Sequence, residues 1–315
     1  MPRTNRLYII GNGFDIFHGL PCRYTDFKVW LETNQPSTFE LLNRIYNANG
    51  EWWKDFEVNI GNLDVIRLRQ EFYTQLSQQQ LEEFYRPIRQ SGSFIPGTPY
   101  APEYKSGQAL AQLYFEIDTA LRNWINEVEE SQICEQKLYL NKDSNYICFN
   151  YTSLLEDVYR IPSSNILYIH GNAKQKKKLI WGHNESTDIE GVYHNRGELV
   201  PDDQDMHEIR KEYWSRRKNP FDFIFKNDYI FNSRPLADCV IVLGFSFSPV
   251  DEYYFWDKSS LMKHISPNAK WFISWYSEQD KKNINSFFHK SNLLFMQTDY
   301  NYIRMSDLEL SLNEM

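Results

Sequence analysis

The chain has 315 residues, with 34 Lys+Arg against 42 Asp+Glu, a net charge of −8, and 42% hydrophobic and 24% charged residues. That length suits one large domain or a core with an insertion, and the acidic balance argues against broad binding of a nucleic-acid backbone, which needs a basic face. No run approaches the roughly 18 apolar residues of a membrane span, the start MPRTNRLYIIGNG has no signal-peptide apolar region, and four scattered cysteines form neither a disulfide framework nor a zinc ribbon, so the cytoplasm is the expected location.

In chain order, Leu7–Ile10 is a short apolar run closed by Gly11-Asn12-Gly13, the pattern of a buried strand entering a tight turn. Phe14 to Leu20 begins a helix that Pro21 interrupts, and Tyr24–Glu32 resumes it. From Thr38 to about Gln90 apolar residues recur at helical steps, including Phe39, Leu42, Ile45, Tyr46, Trp53, Phe56 and Ile60. Ser91 to Ser106, with three prolines, reads as a loop, and Gly107–Glu130 as an amphipathic helix with Leu110, Leu113, Tyr114, Ile117, Leu121 and Trp124 on one stripe.

After Asp143 the pattern changes to short apolar strands: Tyr146–Phe149, Ile166–Ile169, Leu179–Trp181, Val240–Leu243, Trp271–Trp275 and Leu293–Met296. Helical segments lie between several of them, at Leu154–Tyr159, His207–Lys218 and Asp251–Lys263. Strands alternating with helices imply a parallel sheet covered on both faces. The expectation is therefore an α/β, Rossmann-like layer sandwich, with a core from 1–24 and 141–315 and a helical insertion or lid, 25–140, after the first strand. The basic runs at Lys174–Lys178 and Arg216–Lys218 are expected to be solvated loops, and nucleic acid an unlikely partner.

Ligands of open parallel sheets bind beyond the carboxyl ends of the strands. Five predicted tips carry small or polar groups there: Gly11-Asn12-Gly13-Phe14-Asp15, Asn150-Tyr151-Thr152, His170-Gly171-Asn172, Gly182-His183-Asn184, and Gly244-Phe245-Ser246. Each has two readings. The first-turn glycines can bring backbone N–H groups to a phosphate, or can serve only a tight βα turn. Asp15 can hold a ribose hydroxyl or cap a helix, and Asn150 can fix a ribose or a water, or form an Asx turn. His170 is a candidate general base beside Gly171, and His183 a further candidate at the next tip. No third ligand accompanies those two histidines, so no metal is expected. Gly244-Phe245-Ser246 lacks the second glycine of a nucleophile elbow, which argues against esterase chemistry.

Taken in order, these blocks resemble the bacteriophage abortive infection AbiH family. The resemblance rests on Tyr8 to Asp15 followed by His18-Gly19-Leu20-Pro21, then Trp53-Lys54-Asp55-Phe56-Glu57, then Phe149-Asn150-Tyr151-Thr152, Ile169-His170-Gly171, Trp181-Gly182-His183, and Gly244-Phe245-Ser246 with Asp251. That family in turn resembles sirtuin-like NAD-binding domains. The resemblance implies that Gly11, Asn12, Gly13, Phe14, Asp15, Leu20, Pro21, Tyr151, Gly171, His183, Gly244, Ser246 and Asp251 surround the ligand, and that Asn150 and His170 act on it. It implies NAD or a related nucleotide as substrate or ligand, no required cofactor, a homo-oligomer, and a phage-derived trigger. The four paired cysteines of protein-deacylating sirtuins are missing, so hydrolysis of the N-glycosidic bond is expected rather than deacylation, with a non-catalytic nucleotide sensor as the alternative.

Overall fold

The computed structural model describes residues 5–72, 105–184, 204–219, 234–256, 261–294 and 300–311. Six strands form one all-parallel sheet: β1 (Arg6–Ile10), β2 (Asn145–Cys148), β3 (Ile166–Tyr168), β4 (Ala237–Leu243), β5 (Ile265–Ser274) and β6 (Tyr300–Ile303). Their order is β3-β2-β1-β4-β5-β6. This is the order of the doubly wound dinucleotide-binding sheet, in which the chain leaves β1 first to one side and later returns to the other.

The sheet is apolar on both faces because strand side chains alternate and both faces are covered. Tyr8, Ile10, Tyr146, Cys148, Ile166, Ile241 and Leu243 point into one core, and Leu7, Ile9, Ile147, Leu167, Val240, Val242, Trp271 and Ile273 into the other. Tyr8 and Tyr146, paired in register on neighbouring strands, stack with ring centres 4.7 Å apart.

The first core is filled by helices that lie between β1 and β2 in the chain. These are α1 (Asn12–Phe17), α2 (Tyr24–Asn34), α3 (Pro36–Tyr46), α4 (Phe56–Ile60), α5 (Val65–Glu71) and α6 (Ser106–Ser131). The long pattern expected from Thr38 onward is broken locally. Asn47 takes a left-handed conformation at the end of α3, a tight 3₁₀ turn spans Trp52–Asp55, and Asp64 caps α5 by accepting from the Arg67 amide. Phe27, Phe39, Trp52, Trp53, Phe56 and Trp124 pack as one aromatic cluster that joins α2, α3, α4 and α6. The remaining part of that pattern and nearly all of the expected 91–106 loop lie outside the described residues.

Several elements differ from expectation. Leu179–Trp181 is not a strand but an irregular segment; only His183 bridges, to Arg217. Leu179 and Trp181 are buried in the helix-side core, Trp181 against Tyr114 and Asp118 of α6, rather than in the sheet, which explains the misleading pattern. Leu293 and Leu294 end the helix α9 (Glu278–Leu294), residues 295–299 lie outside the described set, and the last strand is Tyr300–Ile303. The helix expected over Leu154–Tyr159 is the single turn α7 (Leu154–Asp157), that over His207–Lys218 is α8 (Gln204–Ser215), and Asp251–Lys263 holds the short 3₁₀ turns Glu252–Phe255 and Leu261–His264. The start of α9 carries a signature in the sequence: Asp280 accepts from the Ser277 amide and Ser277 Oγ from the Asp280 amide, a reciprocal cap. Helix α10 (Met305–Ser311) follows β6.

The β1 and β4 tips meet backbone to backbone. The Gly11 amide donates to the Leu243 carbonyl at 3.0 Å and the Gly13 amide to the Gly244 carbonyl at 2.9 Å. Gly244 has φ +66°, and a Cβ there would overlap the Phe14 amide nitrogen and Gly13. An alanine at 244 must therefore separate the two turns. Urea unfolding of Gly244→Ala should show a loss of at least about 2 kcal/mol, with positive-φ strain and a backbone clash acting together. A loss below about 0.5 kcal/mol, the usual range for a neutral surface change, would mean that the turns can part freely.

Candidate functional site

The strand order places the switch point between β1 and β4, and a cavity of about 620 Å³ opens there, beyond the carboxyl ends of the strands. Its size is that of a small-molecule site. Of the residues expected to surround a ligand, Gly11, Asn12, Gly13, Asp15, Asn150, Tyr151, His170, Gly244, Ser246 and Asp251 line this one space. Phe14, Leu20, Pro21, Gly171 and His183 are not among its lining residues. Phe14 and Leu20 are core residues, and Pro21 is exposed.

The first turn has less free hydrogen-bonding capacity than its glycines suggest. The Gly13 amide is taken by the Gly244 carbonyl, the Phe14 amide by the Gly11 carbonyl, and Asn12 Nδ2 donates to the Cys22 carbonyl at 2.7 Å. The glycines thus act here in the close packing of two turns.

Asp15 and Asn150 form the floor. Asp15 is 1% exposed and sits in the first turn of α1; the N-cap position is Gly11, so Asp15 is not the cap. Thr152 Oγ1 donates to Asp15 Oδ2 at 2.6 Å. Burial raises the Asp15 carboxyl to about 7, against the opposing effect of Thr152 and Asn150, with the Glu129 carboxylate adding to the rise. A group of that kind can give or take a proton at neutral pH. Asn150 follows β2; its Nδ2 donates to the Gly11 carbonyl at 3.0 Å, while its buried Oδ1 has no hydrogen-bond partner. A buried, unsatisfied acceptor on a cavity wall is costly unless something else completes it.

The wall opposite is a chain of polar and charged groups around a buried lysine. His170, just after β3, has Nδ1 at 3.1 Å from the Phe149 carbonyl, which fixes that nitrogen as the donor. Its Nε2 lies 3.2 Å from Asp251 Oδ1, out of line for a hydrogen bond. Ser248 Oγ donates to Asp251 Oδ2 at 3.2 Å. Lys218 Nζ is 2.9 Å from Asp251 Oδ1 and 2.9 Å from Glu57 Oε2, and the Lys218 side chain is 0% exposed. Burial by itself would raise the Asp251 carboxyl, but the Lys218 ammonium and the His170 ring outweigh it and hold the group well below the usual carboxylate range. Burial disfavours the Lys218 ammonium, and the two carboxylates more than offset that and raise it.

Lys218 and Glu57 were not among the expected site residues. Lys218 belongs to a basic run expected to be solvated. In the structure Arg216 instead pairs with Asp118 through two 2.8 Å hydrogen bonds and lies over the Trp181 ring at 4.5 Å, and Lys218 is buried. What holds the run in place is the Gly182-His183 tip. Gly182, at φ +132°, lies so close to the Arg216 carbonyl that no Cβ fits. The Lys218 amide donates to the His183 carbonyl at 2.7 Å and the His183 amide to the Arg216 carbonyl at 3.1 Å. His183 itself is 0% exposed, with Nε2 3.2 Å from the Tyr213 carbonyl, and burial pushes its imidazole down to about 4. Its backbone positions Lys218, and its ring packs on Tyr213. A signal for Glu57 existed in the Trp53–Glu57 block, whose aromatic residues anchor α4 and leave the Glu57 carboxylate buried while Asp55 is exposed.

The mouth of the cavity carries aromatic residues after β5. Trp275 and Tyr276 line it, and the Trp275 ring is covered by the Lys281 and Arg304 cations at 3.6 and 3.3 Å. Beside it Phe247 adopts a left-handed φ of +51° while buried among Phe245, Phe255 and Phe287, which hold it there.

Fold and site together define an α/β protein with the doubly wound strand order, a switch-point cavity, and an Asn–Asp floor facing a His–Asp–Lys–Glu wall. The model of the bacteriophage abortive infection AbiH family matches residues 7–275, and the chain belongs to that family. The matched span runs from β1 to the end of β5 and includes Asp15, Glu57, Asn150, His170, Lys218 and Asp251. Membership implies a role in bacteriophage abortive infection. Comparison with curated proteins finds no match, and comparison with solved structures finds none. Among the described residues no helix is long and apolar enough to cross a membrane.

The buried Asp15 carboxyl has a consequence for stability. An unfolded-chain carboxyl titrates near 3.8, and this one near 7 when folded. Between those values the folded state holds more protons, so stability falls as pH rises through that window. Asp15→Asn cannot ionise and should gain about 2–3 kcal/mol on wild type in urea unfolding between pH 5 and pH 8. Parallel pH dependence of the two proteins would contradict the assignment.

Proposed function

We propose that the switch-point cavity binds NAD or a related nucleotide and hydrolyses its N-glycosidic bond as part of phage defence, as the resemblance to sirtuin-like domains implies. One observation carries the reading: Asn150 Oδ1 and His170 Nε2 are both buried, both outside any well-aligned hydrogen bond, and both on the same cavity at the end of a doubly wound sheet.

In this reading Asn150 Oδ1 holds a ribose hydroxyl or the attacking water, and Asp15 accepts or donates a hydrogen bond to the ribose. The water oxygen bonds to the anomeric carbon. The C1′–N bond breaks, and its electron pair passes to the ring nitrogen of the base, which leaves neutral in the case of nicotinamide. The proton lost by the water passes to His170 Nε2, since Nδ1 already donates to the Phe149 carbonyl. Ser246 and the Gly244 turn face the rest of the nucleotide. A trigger derived from the phage and a homo-oligomer are parts of the same proposal.

A general base of this kind contributes about 10²–10⁴-fold. His170→Ala should therefore lose NAD turnover by at least about 10²-fold while its circular dichroism and unfolding midpoint stay those of a folded protein. Turnover is read as nicotinamide released at saturating NAD, with and without phage lysate. Tight NAD binding with no product in either condition would support a non-catalytic sensor in place of a hydrolase.

A further inference from the structure

Behind His170 the structure carries charged groups that the glycosidic-bond reading does not use. Asp251, Lys218 and Glu57 come from three separate parts of the chain: the turn after β4, the segment after α8, and α4 of the helical block. Lys218 and Glu57 are buried and Asp251 is half-buried, and each is within 2.9 Å of the next. Holding a lysine side chain wholly out of water between two carboxylates is expensive to assemble and gives little net stability compared with apolar packing. That expense is directed at one place. Asp251 Oδ1, which Lys218 contacts, is also the atom facing His170 Nε2 at 3.2 Å.

We propose that Asp251 is the positioning residue of His170, and that Lys218, held in turn by Glu57, fixes the charge and direction of Asp251. The Phe149 carbonyl commits Nδ1 as a donor, so the ring presents Nε2 to the cavity, and a carboxylate beside Nε2 stabilises the ring once that nitrogen takes a proton. Without Lys218, Asp251 would carry its full charge against His170. With Lys218 unmatched by Glu57, the ammonium would oppose the protonated ring. The two cancel only when all four groups are docked, so the helical block supplies the last part of the site through Glu57. The other polar groups around His170 are Tyr151 and Tyr254, whose rings pack against it at 5.9 Å, and Ser248, which donates to Asp251. Held low by Lys218 and His170, the Asp251 carboxyl stays ionised at working pH.

This inference rests on His170 being the group that acts in the cavity, and its test has one arm that needs no turnover. The probe is the full chain labelled with ¹⁵N-histidine, with the His170 signals identified by their loss in His170→Gln. Asp251→Asn should move the Nε2 resonance toward that of an unprotonated ring nitrogen across pH 6–8. Glu57→Gln should move it the same way by less, and Lys218→Met the opposite way. The same variants should lower kcat for NAD by about 10- to 10²-fold for Asp251→Asn and by less for Glu57→Gln, with KM within about 3-fold of wild type. Glu57→Gln keeps the Lys218–Asp251 contact, so it carries the test if Asp251→Asn does not fold. An Nε2 resonance unmoved in both folded variants, or one moved in the same direction by Lys218→Met, overturns the proposal. The signed pattern without NAD turnover in wild type supports the coupling and contradicts only the hydrolase reading. Turnover with kcat unchanged in Asp251→Asn contradicts only the coupling.

Discussion

A lysine ammonium taken wholly out of water must be matched on the spot, and the matching of Lys218 organises the centre of this protein. One carboxylate, Glu57, comes from the helical block; the other, Asp251, comes from the core sheet's β4 turn. The segment that carries Lys218 is pinned by the backbone of His183 and by the absence of a side chain at Gly182. Breaking such a pair leaves an uncompensated buried charge, at a cost of about 3–5 kcal/mol. The helical block, the 216–218 segment and the sheet are thus held to one another at the place where the cavity opens.

The second constraint is the contact of two glycine turns. Because Gly11 and Gly13 press on Gly244, the β1 and β4 tips are closed against each other at backbone distance. The cavity therefore lies over them, toward Asp15, Asn150 and His170, rather than between them. This explains why the first turn, which looks like a phosphate cradle, uses three of its amides, those of Gly11, Gly13 and Phe14, within the protein. The polar groups left open are on the later strand tips.

Much of the fold was legible in the sequence, for a physical reason. Buried parallel strands are continuous apolar runs, so Leu7–Ile10, Tyr146–Cys148, Ile166–Tyr168 and Val240–Leu243 stand out. Leu179–Trp181 has the same composition but buries Leu179 and Trp181 in the helix-side core, and composition does not distinguish the two kinds of burial. β6 was missed because Tyr300–Ile303 sits at the sheet edge, where none of its residues is fully buried. Asn150 and His170 were placed on one cavity by the rule that strand ends carry sites, and Asp251 by the family resemblance. His183 shared the same sequence features yet turned its ring into Tyr213, because its neighbour Gly182 brings in another segment instead of a ligand. Lys218 was hidden because a three-residue basic run looks solvated unless its partners, 161 and 33 residues away, are known.

The account turns on Asn150: a buried amide whose Oδ1 lacks a partner in the protein itself, at the cavity where a nucleotide is proposed to bind. The most direct measurement is mass spectrometry of small molecules released by denaturing the purified chain, compared with Asn150→Ala prepared in parallel. The account predicts NAD, its hydrolysis product or a related nucleotide from wild type, at a level at least about 10-fold above the variant, the loss expected when one well-placed polar contact is removed. Equal release from both proteins, or a bound molecule with no ribose, would contradict it.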